Sequence, residues 1–249
     1  MKSINIILIL AVSLLFSCDD SSFTPLSSSS NTDGSSGISR GGSTARFAIK
    51  DNYLYIVDND NLRVFDVSNE NESILVNTIN AGWGVETIFP FDNLLLLGTQ
   101  WGVLIYDISS PVNPFMISDY QHIVACDPVV TDGKFAYLTL RTGTNCQRAV
   151  NELHVIDMSD IFRPVLKSTL PMSNPKGLAI HDDILYVCDE GIKVFDASNK
   201  NRLVLLDHIE GILANDVIFH RNQLLVTATN GFYQYNAADL NQLSFYTFK

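Results

Sequence analysis

Four carboxylates and one amide recur at matched places in this sequence: Asp66, Asp107, Asp157, Asp196 and Asn236. Each follows an aromatic or apolar residue and opens a short polar tail. Five such groups set around an axis would make an oxygen-rich ring, fit for a hard cation or for acid–base work. Their neighbours argue for a structural use instead. Asp two residues before Ser, as in Asp66-Val67-Ser68 and Asp107-Ile108-Ser109, is what a strand-to-turn corner needs, the carboxylate accepting backbone N–H groups.

Other chemistry-bearing patterns are sparse. His122, His154, His181, His208 and His220 are scattered, and no His-Glu-x-x-His, Gly-x-Ser-x-Gly, Walker loop or zinc-spaced cysteine pair occurs. Asp58-Asn59-Asp60-Asn61 lacks the Gly and distal Glu of an EF-hand loop and reads as a polar turn. No catalytic residue, metal ligand or cofactor is assigned from motifs. Active sites can assemble from residues far apart in sequence, so a missing linear motif does not exclude one.

The elements that carry the repeated Asp are short strands. The anchors at 66, 107, 157, 196 and 236 are separated by 41, 50, 39 and 40 residues, and a period near 40 built from strands is the signature of a β-propeller. Each repeat divides into four strands, A to D. In the second they are Val85 to Phe91, Leu94 to Gly98, Val103 to Asp107 and Phe115 to Asp119. Asp51-Asn52, Asp92-Asn93, Asp132-Gly133, Asp182-Asp183 and Arg221-Asn222 supply hairpin turns between A and B. Leu240 to Phe245 reads as the last D strand. The expected fold is all-β, a single β-propeller domain of five four-stranded blades over residues 44–249.

The strands Leu-Tyr-Ile-Val-Asp and Leu-Tyr-Val-Cys-Asp, with Val-Phe-Asp-Val-Ser, Ile-Tyr-Asp-Ile-Ser, Val-Ile-Asp-Met-Ser and Val-Phe-Asp-Ala-Ser, resemble the LVIVD-repeat propellers. The resemblance implies the fold and a bacterial surface or secreted protein, and says little about activity. Repeat five departs from the pattern, with Asn236 for Asp and Ala237-Ala238 in the tail. With each blade running from A to D, no strand is exchanged to lock the ring. Closure would rest on residues near Thr44 to Ile49 packing on repeat five; the alternative is an open or fragmentary propeller.

In a propeller the D–A and B–C connections share one face around the channel mouth. Trp83 and Trp101, the two tryptophans of the chain, both fall there, where paired aromatic planes offer a platform for sugars or peptide side chains. The competing reading is that each packs over its neighbour. The ten-residue excess of repeat three, Arg141 to Asn151, lies on the same face. Cys146 within it and Cys126 before it are candidates for a disulfide that staples this loop, contributing roughly 3 kcal/mol through loop closure. Aligned A strands place Arg46, Glu86 with Thr87, Asp127, Lys176, and Asn215 with Asp216 at the channel mouth. Such mixed charge suits either a polar ligand or mutual pairing.

The N-terminus indicates export. Lys2 precedes an apolar run of about 13 residues, Ile4 to Phe16, too short to span a bilayer and fit for a signal peptide over residues 1–17. Leu15-Phe16-Ser17-Cys18 resembles a lipoprotein lipobox, which makes Cys18 the lipidation site and the membrane a partner through its acyl chains. Asp19 and Asp20 resemble lipoprotein sorting signals, read here as outer membrane or cell surface in preference to inner membrane. Residues 18–43 are Ser- and Gly-rich, a flexible tether whose last 23 residues reach roughly 25 Å.

The formal charge is −11, from 16 basic and 27 acidic side chains, and becomes −12 on loss of Lys2 with the signal. That balance excludes nucleic acid as the expected partner, since phosphate binding needs clustered cations. Cys188 sits in the apolar run Leu185 to Cys188 and reads as a small buried hydrophobe. The sequence therefore points to a lipid-anchored, non-enzymatic propeller that binds an envelope protein or glycan. The alternatives are an envelope hydrolase or lyase using Glu86, Asp127 or Asp216, and a structural envelope component.

Overall fold

A computed structural model describes residues 42–122, 128–142 and 150–248. Twenty strands form five sheets, each of four consecutive antiparallel strands. The chain is a five-bladed β-propeller, and no helix occurs among the described residues.

Blade one consists of β1 (Phe47–Lys50), β2 (Tyr53–Asp58), β3 (Asn61–Asn69) and β4 (Glu72–Asn80). Blade two follows with β5 (Val85–Phe91), β6 (Leu94–Thr99), β7 (Gly102–Asp107) and β8 (Phe115–Gln121). Blade three has β9 (Val129–Thr131), β10 (Phe135–Leu140), β11 (Glu152–Asp157) and β12 (Val165–Pro171). Blade four has β13 (Leu178–His181), β14 (Ile184–Cys188), β15 (Ile192–Asp196) and β16 (Val204–Ile209). Blade five has β17 (Ala214–His220), β18 (Gln223–Ala228), β19 (Gly231–Asn236) and β20 (Gln242–Thr247). The last D strand is thus shifted from the expected Leu240 to Phe245, because Leu240 takes a left-handed turn conformation (φ 57°) before it.

Turn chemistry sets the hairpins. Asp51, Asp92, Asp182, Arg221 and Asn222 hold positive φ in the A–B turns of blades one, two, four and five, and Gly133 does so in blade three. These residue types, apart from Arg221, adopt the left-handed region most readily. One backbone bond recurs across each blade, from the residue after the anchor back to the A–B turn: Val67 to Asn52, Ile108 to Asn93, Met158 to Lys134, Ala197 to Asp183 and Ala237 to Asn222, at 2.7–2.9 Å. The register between C and D slips at the same place every time, between the two residues that precede the anchor. Such bulges raise the local twist that blades need in order to stack radially.

The core lies between blades as four apolar layers, one each for blades one and two, two and three, three and four, and four and five. Strands β6, β10 and β14 are therefore buried on both faces apart from the first residue of β6 and of β14. In β2 and β18, burial alternates instead, because each has an apolar neighbouring blade on one side only. Blade one turns Phe47 (61% exposed) and Ile49 (43% exposed) away from blade two. On the far face of blade five Gln234 stands where the other blades place Val64, Ile105, Val155 and Val194, all buried. Gln234 bonds to Gln223 (2.8 Å) and receives the Ser244 hydroxyl (2.9 Å), a polar patch on the outer face of the terminal repeat.

Blades one and five meet near the axis through polar contacts. Ser43, fully buried, donates to Asp216 Oδ1 at 2.9 Å, and Thr44 Oγ1 donates to Oδ2 at 2.7 Å. Of the segment expected to pack on repeat five, Thr44 does so, while Phe47 and Ile49 remain exposed. On the facing side of blade five Gln234 and Ser244 interrupt the apolar residues Ile218, Leu225 and Phe232, which are left half-buried.

Candidate functional site

All five blades contribute to one cavity at the axis, about 480 Å³ in volume. It lies at the end where the D–A and B–C connections meet. Its charged lining is Arg46 from blade one, Glu86 from blade two, Arg141 from blade three, Lys176 from blade four and Asp216 from blade five. The structure thus gathers Arg46, Glu86, Lys176 and Asp216, the channel-mouth residues aligned from the repeat. Asp127 lies outside the described residues. Arg141, expected with the tryptophans, faces this cavity instead.

The two acids of the cavity are engaged. Asp216 accepts from Ser43, from Thr44 through both hydroxyl and N–H, and from its neighbour Val217 N (3.0 Å). Burial pushes its carboxyl above the usual carboxylate range, against the opposing pull of the Thr44 and Ser43 donors. Glu86 Oε1 receives Gln100 Nε2 at 2.9 Å. Lys176 Nζ donates to Asn215 Oδ1 at 2.7 Å. A Cβ on Gly42 or Gly177 would lie 2.1 Å from an Asp216 carboxylate oxygen, so only glycine lets both backbones close around that acid. Cys188 is fully buried close by, and burial pushes its thiol well up, as befits a small core residue.

A second, smaller cleft of about 180 Å³ holds the tryptophans. Trp83 and Trp101 are 61% and 49% exposed, with ring centroids 6.4 Å apart and planes tilted by 46°. Thr99 Oγ1 receives the Trp101 N–H and donates to Gly102 O, both at 3.0 Å, which stiffens the turn that presents Trp101. Positive φ at Gly82 and Gly84 brackets Trp83. Asp119 and Gln121, mutually bonded at 2.7 Å, form a polar rim.

Residues 41–81 match the LVIVD repeat model. The match spans blade one. No curated protein matches the sequence. Among solved structures, a functionally unknown protein from Desulfotomaculum acetoxidans is similar at TM-score 0.62 and 13% identity, over 78% of this chain and 68% of its own. A protein from Lactobacillus plantarum is similar at TM-score 0.61 and 13% identity, over 79% and 67%. The periplasmic gluconolactonase of Pseudomonas aeruginosa is similar at TM-score 0.58 and 13% identity, over 79% and 66%. At such identity the likeness concerns the fold.

Within the matched residues the anchor Asp66 closes a corner, its Oδ1 accepting Ser68 N at 2.8 Å. Asp107, Asp157 and Asp196 do the same with Ser109, Ser159 and Ser198 N (2.6, 3.0 and 2.8 Å), and Asn236 with Ala238 N (2.8 Å). The departure in blade five thus keeps the same turn, since an amide oxygen accepts as a carboxylate does. The Ser68, Ser159 and Ser198 donors hold Asp66, Asp157 and Asp196 below the usual carboxylate range.

Asn151 anchors the base of the long loop of blade three. Its Oδ1 accepts Thr142 N at 2.9 Å and its Nδ2 donates to Ser173 O at 2.6 Å. Cys126, Cys146 and Cys18 lie outside the described residues, and so does the stretch 1–41.

Two further features lie beside the cavity lining and the blade-three loop. Asp189, buried just past the end of β14, accepts from Ser173 N (3.1 Å), Asn174 N (2.5 Å) and Lys193 Nζ (2.6 Å). It fixes the segment that leads into Lys176, so it positions the cavity lining. Burial opposes its charge, yet the Lys193, Asn174 and Ser173 donors outweigh burial and hold its carboxyl below the usual range. Asp189 stands seven residues before the anchor Asp196, and the same step back from Asp66, Asp107 and Asn236 reaches Asn59, Gln100 and Thr229. Aligned on the B strand instead, Asp189 ends Leu-Tyr-Val-Cys-Asp as Asp58 ends Leu-Tyr-Ile-Val-Asp, and Asp58 likewise accepts a cation of the next strand, Arg63 Nε at 2.6 Å. The repeat thus carries a signal for the carboxylate, though not for its burial under the Ser173–Lys176 segment. His154 meets His122 edge-on at 6.1 Å and bonds to Glu152 at 2.8 Å. Burial pulls His154 below its usual value against Glu152, favouring the neutral ring.

Proposed function

We propose that this chain is a lipid-anchored propeller of the bacterial cell envelope that binds a glycan through the Trp83–Trp101 cleft. The observation that carries the reading is the tilted pair of exposed indoles, 6.4 Å apart, on a stiffened turn. Leaving two large aromatic faces in water is unfavourable, and a bound sugar ring stacking on them would relieve it. Asp119 and Gln121 beside them offer acceptors and donors for hydroxyls. The anchor and the envelope location rest on the Leu15 to Cys18 pattern and the Ser-rich tether.

A glycan array probed with the purified chain, together with an envelope pull-down, tests this. Trp83→Ala and Trp101→Ala are expected to abolish retention of the glycan without loss of folding. Unchanged retention rejects the cleft, and capture of a protein insensitive to added glycan turns the reading toward a protein partner.

A second reading, an envelope hydrolase or lyase working at the axis, is favoured by the convergence of Glu86, Lys176 and Asp216 in one cavity. The fold likeness to a periplasmic gluconolactonase is compatible with it. Against it, Asp216 is bound by the Ser43–Thr44 segment. A stoichiometric divalent ion in the purified protein, or lactone or ester turnover lost in Glu86→Gln, would establish it.

A further inference from the structure

Charge in the axial cavity runs against that of the chain as a whole. The described lining carries three cations, Arg46, Arg141 and Lys176, against two carboxylates, Glu86 and Asp216, one net positive charge in a chain of net charge −11. The acids are engaged locally, with Gln100 and with the Ser43–Thr44 segment. Among the described residues the Arg46 and Arg141 side chains have no ion-pair or hydrogen-bond partner. Guanidinium groups gathered without partners in a concave site favour a carboxylate or phosphate, which they bind through paired N–H groups.

The neutral lining selects between these. Asn59, Thr87, Asn215 and Thr227 add amide and hydroxyl groups around the same space, suited to several hydroxyls of one ligand. A single net positive charge balances a monocarboxylate, whereas a phosphate dianion would meet Glu86 and Asp216 with an excess of negative charge. The volume of about 480 Å³ falls within the range of small-ligand pockets and admits a monosaccharide or a disaccharide.

We infer that the axial cavity is a binding site for a sugar acid, a polyhydroxylated monocarboxylate of the hexuronate class, with Arg46 and Arg141 taking the carboxylate. The inference does not depend on the tryptophan cleft, which shares none of the cavity's lining.

Calorimetric titration of the full chain in detergent with glucuronate, galacturonate, glucose and inorganic phosphate tests it. A hexuronate is expected to bind at least about tenfold more tightly than glucose or phosphate. Arg46→Gln and Arg141→Gln are each expected to weaken hexuronate binding by about tenfold or more, with circular dichroism and Tm unchanged for exposed Arg46. Equal affinity for glucose, or tighter binding of phosphate, overturns the ligand class. Wild-type affinity in either Arg variant overturns the paired-guanidinium site, and hexuronate binding that survives them but is lost in Trp101→Ala assigns it to the tryptophan cleft. Arg46→Lys keeps the charge and loses the fork. Its affinity should fall below that of wild type, toward Arg46→Gln, and an Arg46→Lys variant as tight as wild type overturns the role of the guanidinium.

Discussion

Ser43 and Asp216 are 173 residues apart in the chain and 2.9 Å apart in the fold. The same hydroxyl oxygen that donates to Asp216 accepts the N–H of Leu178 at 2.8 Å, so one serine joins the lead-in of blade one to blades four and five. Ser43→Ala removes both bonds at a buried point and leaves the Leu178 N–H without its partner. The expected loss is about 1–3 kcal/mol of stability, measured by urea unfolding. A variant as stable as wild type would show that the axial join is dispensable.

The Asp189 carboxylate is buried and paired, so removing it strands Lys193 and two backbone donors. Asp189→Ala should cost about 3–5 kcal/mol and loosen the Ser173–Lys176 segment. Because its folded carboxyl is held below its unfolded value, its contribution is complete above the unfolded value. It is lost as pH falls through the folded one. The Tm gap between wild type and Asp189→Asn should therefore narrow on acidification, and a gap that widens would contradict the assignment.

Asp216 has the opposite sign. Its folded carboxyl is raised by burial, so the protonated form favours the fold, and that contribution is lost as pH rises through the folded value. Asp216→Asn, which keeps the acceptor oxygen, should flatten the stability decline between the unfolded carboxylate value and neutrality. Tm measured across that interval in both proteins is the check.

Corner residues are expected to tolerate amides and not alanine. Asp196→Asn should leave Tm close to wild type, as Asn236 already performs the same bond in blade five. Asp196→Ala should lower it. Equal Tm for both variants would mean that the corner bond contributes nothing.

Amide exchange should follow the stacking of blades. Strands β10 and β14, covered on both faces, should outlast β1 and β20, whose residues are largely exposed or half-buried. Uniform protection by mass-resolved exchange would argue that β1 and β20 are covered in solution.

How far linear reading reaches is visible residue by residue. The A–B turns, the Asp66 to Asn236 corners and the strands of blade two were legible because hairpins and corner bonds connect residues near one another in sequence, and the repeat prints them five times. Aligning the A strands also brought Arg46, Glu86, Lys176 and Asp216 to one end of the axis, since equivalent positions in a radial fold must converge.

What the sequence by itself determined was the blade and the number of its copies, because each blade is a local meander with its own turn chemistry. Only the tertiary structure decided how the copies meet. Ser43 on Asp216, Asp189 under the Lys176 segment, His154 against His122, and the exposure of Phe47 are contacts or exposures that linear order does not announce. Their partners are separated in the chain by distances that no period encodes, and they arise where a repeat departs from its neighbours.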